Sequence, residues 1–360
     1  MNPSKGDDGS ENPMETDGGR ASGNPLQTLK SRSSADVEDP NLILELLRTY
    51  IITPASVLIH DWRAIVGFSL VAFYILMGTV GKMVVDETGV GDGPFLLPPF
   101  QNMKYPLGTD DLGRDLLGVI VYSTPDMLIM MGTGAAFTVV MGGLVGITAG
   151  YKGGVVDTIL STVTDIAINL PGIPVVLVLS VIFQPTSPFA LGILLSLAAW
   201  SGLARALRSQ VLTLRNEAFV ESARAMGIPD YRILVKSILP HLAPYMVVNL
   251  VQAARNIIFA AAGLYFIGVL PFDRPNWGVI LNWAYEKRAH QRPELLYWLV
   301  VPMVTIIGIS IGMILLAQSL DRVFNPRLRA KYSQADVEEE DEGGEAESAA
   351  DEVRAMEGWQ

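Results

Sequence analysis

The sequence predicts an all-α integral membrane protein with six transmembrane helices, a helical hairpin in one cytoplasmic loop, and both termini in the cytoplasm. Half of its 360 residues are hydrophobic, only 18% are charged, and the mean hydropathy is +0.34, a composition typical of membrane proteins. Six segments meet or approach the roughly 20 apolar residues that a spanning helix needs. The chain has no cysteine, which excludes disulfides, thiolate metal sites and iron–sulfur clusters.

The two ends of the chain are predicted to be disordered acidic tails. Residues 1–40 are rich in Gly, Ser, Asn, Pro and acids, and residues 333–360 form a low-complexity acidic segment. Neither contains the apolar surface needed to offset the loss of chain entropy on folding. The tails carry 5 basic against 19 acidic residues, whereas residues 41–332 carry 21 against 18. This faintly basic core has no cationic stripe for phosphates, which argues against nucleic-acid binding.

Residues 41–60 are predicted to contain an amphipathic helix that starts after Pro40 and ends before Pro54. Its apolar stripe consists of Leu42, Ile43, Leu46, Leu47 and Tyr50. A helix that lies on the membrane surface and a short helix packed on its own domain both fit this pattern.

Residues 61–332 are predicted to form the transmembrane domain. The six expected spans are 64–85, 127–151, 159–183, 188–204, 242–270 and 295–320. Pro171 and Pro174 interrupt the third span and are expected to bend or break it, because proline cannot donate the helical hydrogen bond. Both a break that faces a cavity and a kink that serves packing fit this position. The fourth span is short and is expected to continue into water as a helix.

The basic residues of the loops predict the orientation of these spans. The loop between the fourth and fifth spans and the segment after the sixth are rich in arginine and lysine, which places them in the cytoplasm. The loop 86–126 has two basic residues against seven acids and is expected outside. The loop 268–294 carries four basic residues and fits the outside less well.

Glycines repeat at four-residue spacing on the second span, at Gly142, Gly146 and Gly150. Small residues at this spacing permit close contact between membrane helices. The sequence leaves open whether the contacting helix belongs to this chain or to a second subunit.

The cytoplasmic loop 216–244 is predicted to hold two short helices joined by a sharp turn. Helix formers run over 217–226, and Glu221 and Arg224 are spaced to form an i, i+3 pair. Gly227 is well placed as the left-handed residue that ends this helix, and Pro229 suits the start of the next one. Such a hairpin would act as a rigid lever that carries force from a soluble partner into the membrane.

The same loop resembles the EAA loop of the permeases of prokaryotic ABC importers. The resemblance rests on Glu221, Ala223, Gly227 and Pro240, which occur in the spacing of that loop; Ser222 replaces the commoner alanine. It implies that the first short helix is a coupling helix, which docks in a groove of an ATPase subunit, and that these four residues serve the coupling.

A second set of motifs is similar to the permeases of the dipeptide, oligopeptide and nickel branch of that family, of the second-permease type. The motifs are PLGTDDLGRD at 106–115, AGYKGG at 149–154, Val156-Asp157, Phe266-Ile267-Gly268, Pro275-Asn276-Trp277-Gly278 and NPRLR at 325–329. They extend over most of the predicted transmembrane domain.

This resemblance implies a subunit of an importer in the plasma membrane. Its expected partners are a second homologous permease, two ATP-binding subunits and an extracellular substrate-binding protein, and no cofactor is expected. Peptides are the expected cargo, with nickel or oligosaccharides as alternatives.

Within the first loop, Thr109 and Asp110 are expected to cap a helix that begins near Leu112. Asp110, Asp111 and Asp115 would alternatively form a cation site, although the sequence offers no further oxygen ligands for one.

Four polar residues form one stripe on the fifth span and are the best candidates to line a translocation path: Asn249, Gln252, Arg255 and Asn256. A charge near the middle of the bilayer costs roughly 2.5–3.5 kcal/mol on insertion scales, so the stripe is expected to face protein or a water-filled cavity. The alternative is a structural ion pair between Arg255 and Asp165 of the third span.

The chain is not expected to be an enzyme, because no catalytic or metal-binding set of residues converges on one predicted face. No segment matches the phosphate loop of ATPases, since Gly81-Lys82 is followed by Met83 and lies in a span. The rival class is a self-contained secondary carrier or channel. A carrier would need its own carboxylates in the membrane and commonly an inverted repeat, but only Asp165 lies within a predicted span and no repeat is visible.

Overall fold

A computed structural model describes residues 61–324 of the chain. In this range the chain folds into helices and no strand, and Thr109 and Asp115 form an isolated β-bridge. The helices are α1 (Trp62–Thr79), α2 (Gly81–Val84), α3 (Leu116–Lys152), α4 (Gly154–Asn169), α5 (Gly172–Phe183), α6 (Pro188–Ser196), α7 (Trp200–Leu214), α8 (Ala218–Ala225), α9 (Asp230–Ile233), α10 (Leu239–Phe266), α11 (Trp277–Glu286) and α12 (Leu296–Phe324). The predicted tails, the helix expected within 41–60 and the NPRLR motif lie outside the described residues.

Among residues 61–324, four helical segments are long and apolar enough to cross a membrane: α1, α3, α12 and the run Asp230–Phe266 that ends with α10. In each of two further pairs of helices, the two helices are long and apolar enough only when they are taken as one segment. Helices α4 and α5 meet at an angle of 88°, and α6 and α7 meet at 55°. By length and composition, the described part of the chain therefore holds four candidate spans, or up to six if each bent pair is one span. The break between α4 and α5 falls at Leu170-Pro171, which confirms the predicted interruption of the third segment.

The glycine stripe of α3 packs inside this chain, against α7. A Cβ added at Gly146 would lie 2.3 Å from the carbonyl oxygen of Ala204, and one at Gly150 would lie 2.8 Å from that of Arg208. Gly142 faces the Leu203 side chain in the same way. The two backbones approach too closely for any larger side chain, so the question left open by the sequence is answered in favour of an internal contact.

The loop before α3 and the loop around α11 contact each other at one end of the bundle. Lys287 pairs with Asp111 at 2.7 Å, and the pKa of Lys287 is raised because that carboxylate accepts its hydrogen bond. The guanidinium of Arg114 lies 4.2 Å from the centre of the Trp283 ring, and the Tyr297 hydroxyl donates to the backbone of Thr109. Lys287, one of the four basic residues that made loop 268–294 a poor fit to the outside, is therefore paired with an acidic residue of loop 86–126.

The motif at 106–115 forms a turn and caps a helix with its last residue, Asp115, rather than with the predicted Thr109 and Asp110. Helix α3 begins at Leu116, and its N-cap is Asp115, which accepts from the amides of Leu117 and Gly118. The expectation that Thr109 and Asp110 cap a helix near Leu112 was wrong.

Asp110 stabilises the turn that precedes the helix. One of its oxygens accepts from the amides of Leu112 and Arg114, and the other accepts from the Arg114 side chain at 2.7 Å. Gly113 has a φ of +74°, a conformation that ends any helix started at Leu112. Asp110, Asp111 and Asp115 each bind a different partner, namely Arg114, Lys287 and the first amides of α3, and no group of three candidate metal ligands is found among residues 61–324.

Candidate functional site

The loop 216–244 contains the turn that the sequence predicts. Helix α8 ends at Ala225, and Gly227 follows with a φ of +73°. The Ile228 amide donates to the Ala223 carbonyl at 3.1 Å, and the Gly227 amide donates to the Arg224 carbonyl at 2.9 Å. This pair of bonds is the Schellman motif, in which a glycine at the left-handed position satisfies carbonyls at the helix end. The assignment of Gly227 to the turn is confirmed.

The second helix of the hairpin differs from the prediction. Pro229 precedes α9, but α9 runs through a π-helical turn, Leu234–Ile238, directly into α10. The wider turn lies just before Pro240, where a regular helix would bring the proline ring against the carbonyl four residues earlier. The hairpin therefore consists of one separate helix, α8, and the extended start of a spanning helix.

Helix α8 presents one buried and one exposed face. Val220 and Ala223 are buried in an apolar cluster with α7, the end of α3 and the start of α10. Glu221, Phe219 and Met226 are exposed, and Phe219 stacks on the His241 ring at 5.2 Å. The helix is thus fixed on one side and leaves a mixed acidic and apolar surface open on the other.

Tyr151, at the end of α3, joins the hairpin to the membrane helices. Its side chain is 5% exposed, and its hydroxyl donates to the Asp230 carboxylate at 2.8 Å. The guanidinium of Arg224 lies over the Tyr151 ring, 5.1 Å from its centre. Arg224 does not form the predicted pair with Glu221. One tyrosine therefore contacts both α8 and α9.

Two arginines at α7 connect this helix to its neighbours α3 and α4. Arg215 donates to the Gly150 carbonyl at 3.0 Å, and Arg208 binds both oxygens of Asp157 on α4. The sequence did not reveal that Tyr151 and Asp157 connect these helices. Both residues lie in the motifs at 149–154 and 156–157. These motifs indicated the family resemblance but did not indicate which contacts the two residues make.

Replacing Tyr151 by phenylalanine is expected to loosen α8 and α9 without unfolding the bundle. A lost hydrogen bond of this kind costs about 1 kcal/mol, which corresponds to about fivefold faster amide exchange by local opening. Hydrogen exchange followed by mass spectrometry on the purified chain measures this on residues 218–233. Tyr231→Phe is the matched control, since Tyr231 is exposed. Equal exchange in the two variants would contradict the role of the Tyr151 hydroxyl.

Three members of the polar stripe on α10 line one cavity. Asn249, Gln252 and Asn256 border a space of about 240 Å³, together with Leu203 of α7 and Thr138 of α3. Arg255 does not border it and donates to the Asn256 side chain at 3.0 Å. The structure thus brings the predicted path residues onto one side of α10, with Arg255 attached through its neighbour.

The alternative pair between Arg255 and Asp165 was wrong. Asp165 binds Arg205 of α7 instead. Both of these side chains are more than half exposed in this chain, at 58% and 56%. Helices α4 and α7 are neighbours, so the partner of Asp165 comes from the helix beside it rather than from α10.

Comparison with known proteins gives one family. Residues 142–330, just over half of the chain, match the model of the binding-protein-dependent transport system inner membrane component. The dipeptide transport system permease protein DppC of Bacillus subtilis is 30% identical over 224 residues, which cover 61% of this chain and 68% of the relative. The oligopeptide transport system permease protein OppC of Lactococcus lactis is 28% identical over 228 residues, 61% and 75% of the two chains.

A third relative extends the match along the chain. The DppC protein of Haemophilus influenzae is 26% identical over 279 residues, which cover 74% of this chain and 91% of the relative. The matched family region contains α8 with its glycine turn, the α10 stripe and most of the contacts that join them to α3 and α7. This chain therefore belongs to the family of binding-protein-dependent transport system inner membrane components.

Proposed function

We propose that this chain is a transmembrane permease subunit of an ATP-driven importer of dipeptides or oligopeptides. Its family and its relatives, which are dipeptide and oligopeptide transport permeases, support this cargo. The proposed partners are a second homologous permease, two ATP-binding subunits and an extracellular substrate-binding protein. In this arrangement the chain forms half of the translocation path and the hydrolysis of ATP occurs on its partners.

The coupling role is supported by the way α8 packs on the rest of the chain. Its Val220 face is buried against the membrane helices, and its opposite face, with Glu221 and Met226, remains exposed. Because Tyr151 and the glycine turn tie α8 to α3 and to the start of α10, we expect the three helices to move together. A push on the exposed face by an ATPase subunit would therefore reach the spans.

The proposed topology has six spans with both termini in the cytoplasm. The loops before α3 and around α11 contact each other, as expected for two loops on the outer side. Helix α8 and the arginines of α7 then lie on the inner side, in agreement with the positive-inside rule.

The proposed path runs along Asn249, Gln252 and Asn256, and includes Arg255 through its hydrogen bond to Asn256. Polar groups are costly against lipid tails, so these side chains are expected to face water or the partner permease. The rival secondary carrier would need a titratable carboxylate free to bind its coupling ion. Asp165 is paired with Arg205, which favours the permease over the carrier.

Uptake by the purified four-subunit complex with its binding protein, reconstituted in liposomes, tests the function. Labelled di- and tripeptides are expected to enter only with ATP and the binding protein, and to stimulate ATP hydrolysis. Stimulation by nickel or by an oligosaccharide, with none by peptides, would move the cargo to one of those classes. Uptake that follows an ion gradient without ATP would contradict the importer itself.

Replacing Arg255 by alanine is expected to slow peptide uptake while the protein still inserts. Removing a charge makes a span easier to insert, whereas loss of the contact to Asn256 disturbs the stripe. A hydrogen bond from a charged group contributes about 1.5 kcal/mol or more, so the uptake rate is expected to fall roughly tenfold.

The matched control for this variant is Arg292→Ala, because Arg292 is an exposed arginine in the loop before α12. Membrane content and initial uptake rates are measured for both variants. Equal rates in Arg255→Ala and the control would remove Arg255 from the path.

A further inference from the structure

An open groove lies between the end of α3 and the hairpin. Its volume is about 690 Å³, and basic side chains from three segments line it: Lys152, Arg215 and Arg224. The only carboxylate among its lining residues is Asp230. The groove therefore carries a net charge of +2 from the side chains that form it.

The charge is available to a ligand. Asp230 accepts the Tyr151 hydroxyl, and Arg215 uses one terminal nitrogen for the Gly150 carbonyl, which leaves further guanidinium donors. Lys152 is exposed and has no carboxylate within 4.0 Å among residues 61–324. A cluster of cations with one acid attracts a compact anion with several acceptor oxygens, and phosphate has this chemistry.

The residues next to the groove indicate which kind of phosphate compound it suits. Lys152 is the last residue of α3, an apolar helix long enough to span a membrane. The chain then turns through Gly153, with a φ of +67°, and begins α4 with two exposed apolar residues, Val155 at 75% and Val156 at 38%. Both valines border the groove. A ligand in it would meet both cationic side chains and an apolar surface.

We propose that this groove binds the headgroup of an anionic phospholipid, with the phosphate between Lys152, Arg215 and Arg224 and an acyl chain against Val155 and Val156. Basic pockets at the cytoplasmic ends of membrane helices are suited to such headgroups. The proposal rests on the membrane location and topology given above and goes beyond the transport function. Because Arg224 also contacts Tyr151, a bound lipid would stiffen the link between α3 and the hairpin.

Lys152→Gln tests the site, since Lys152 lines the groove without holding another group of the described chain. The purified full-length chain is placed in nanodiscs of phosphatidylcholine and phosphatidylglycerol in equal parts, and retained lipids are counted by native mass spectrometry. Wild type is expected to retain phosphatidylglycerol in preference to phosphatidylcholine. Lys152→Gln is expected to weaken this retention by about fivefold, the factor for roughly 1 kcal/mol per basic residue at an anionic surface, and Lys152→Arg to preserve it.

Arg232→Gln is the matched control. Arg232 is an exposed cation of α9 that does not line the groove. The retention of phosphatidylglycerol by Arg232→Gln is therefore expected to change less than twofold, well below the fivefold expected for one basic residue of the groove. Equal weakening in the control would show a diffuse attraction to charged lipid and overturn the site. Equal retention of the two lipids by wild type would do the same.

Two further measurements distinguish the phospholipid from other ligands of the groove. Inorganic phosphate, added to nanodiscs of phosphatidylcholine alone, is expected to give no retained adduct; an adduct that Lys152→Gln removes would reassign the groove to a soluble phosphate. If Lys152→Gln loses the ATPase subunits during purification while its lipid retention is unchanged, the groove is a protein contact instead. Neither result depends on peptide uptake, so failure of this proposal leaves the transport function standing.

Discussion

Replacing Gly146 by valine is expected to abolish the accumulation of folded protein. A Cβ at this position would lie 2.3 Å from the carbonyl oxygen of Ala204 and 3.0 Å from its Cα and carbonyl carbon. These are backbone atoms, so no side-chain rotation relieves the clash and α3 must move away from α7. Overpacking of this kind costs about 3 kcal/mol or more, a large part of a typical stability of 5–15 kcal/mol.

The separation would also remove contacts that depend on the α3–α7 distance. Arg215 reaches the Gly150 carbonyl across this interface, and Leu207 and Val211 are buried in the cluster that holds α8. The measurement is the amount of monodisperse protein after detergent extraction, together with its midpoint of thermal unfolding.

Gly132→Val on the same helix is the control for Gly146→Val. A Cβ at Gly132 meets nothing within 4 Å, so this variant has the same change in helix propensity without the clash. It is expected to accumulate like wild type. If both variants are lost equally, the defect comes from valine in the helix and not from the contact with α7.

Replacing Gly227 by valine is expected to uncouple ATP hydrolysis from transport. The residue has a φ of +73°, and nothing lies within 4 Å of an added Cβ. Within this chain the effect therefore comes from the backbone, where the left-handed conformation costs a residue with a Cβ roughly 1–2 kcal/mol, and a β-branched residue more. The turn would open, the two Schellman bonds would break, and α8 would point in a different direction.

The spans are expected to insert normally in this variant, because the turn lies outside the apolar segments. Purified complexes are compared for subunit composition, ATP hydrolysis and peptide uptake in liposomes. The ATPase subunits are expected either to be lost or to hydrolyse ATP without uptake. Gly227→Asn is the matched control, because asparagine tolerates the left-handed conformation, and it is expected to restore most of the uptake.

Normal uptake with normal subunit composition in Gly227→Val would contradict the coupling role of α8. Failure of both Gly227 variants would indicate that the glycine is needed for the approach of a partner rather than for its φ angle. The two outcomes are distinguished by the asparagine variant alone.

Short-range physical chemistry made much of this fold predictable from the sequence. Apolar runs of sufficient length identify membrane helices whatever surrounds them. Pro171 breaks its helix because of its own ring and missing amide, and Gly227 ends α8 because only a few residue types adopt a positive φ. These features depend on a residue and its immediate neighbours, and the structure agrees with each of them.

Competition between similar residues was not predictable. Asp110 and Asp115 are both good caps by type, yet only Asp115 caps α3 while Asp110 binds Arg114. The choice depends on the left-handed turn at Gly113 and on the Trp283 ring against which Arg114 packs. That ring comes from a segment about 170 residues away, so local spacing does not reveal it.

The partners of charged groups in the helices were decided by tertiary structure alone. By itself the sequence determined that Asp165, Arg255 and the glycines of α3 need partners, because uncompensated charge and bare backbone grooves are unfavourable in a membrane. It did not determine which partner each would have. Asp165 binds Arg205, and Gly146 meets Ala204, because α7 lies beside both α3 and α4. The packing of the helices determines which of these residues come into contact. Residues that are tens of positions apart in the sequence give no local pattern from which such a contact can be predicted.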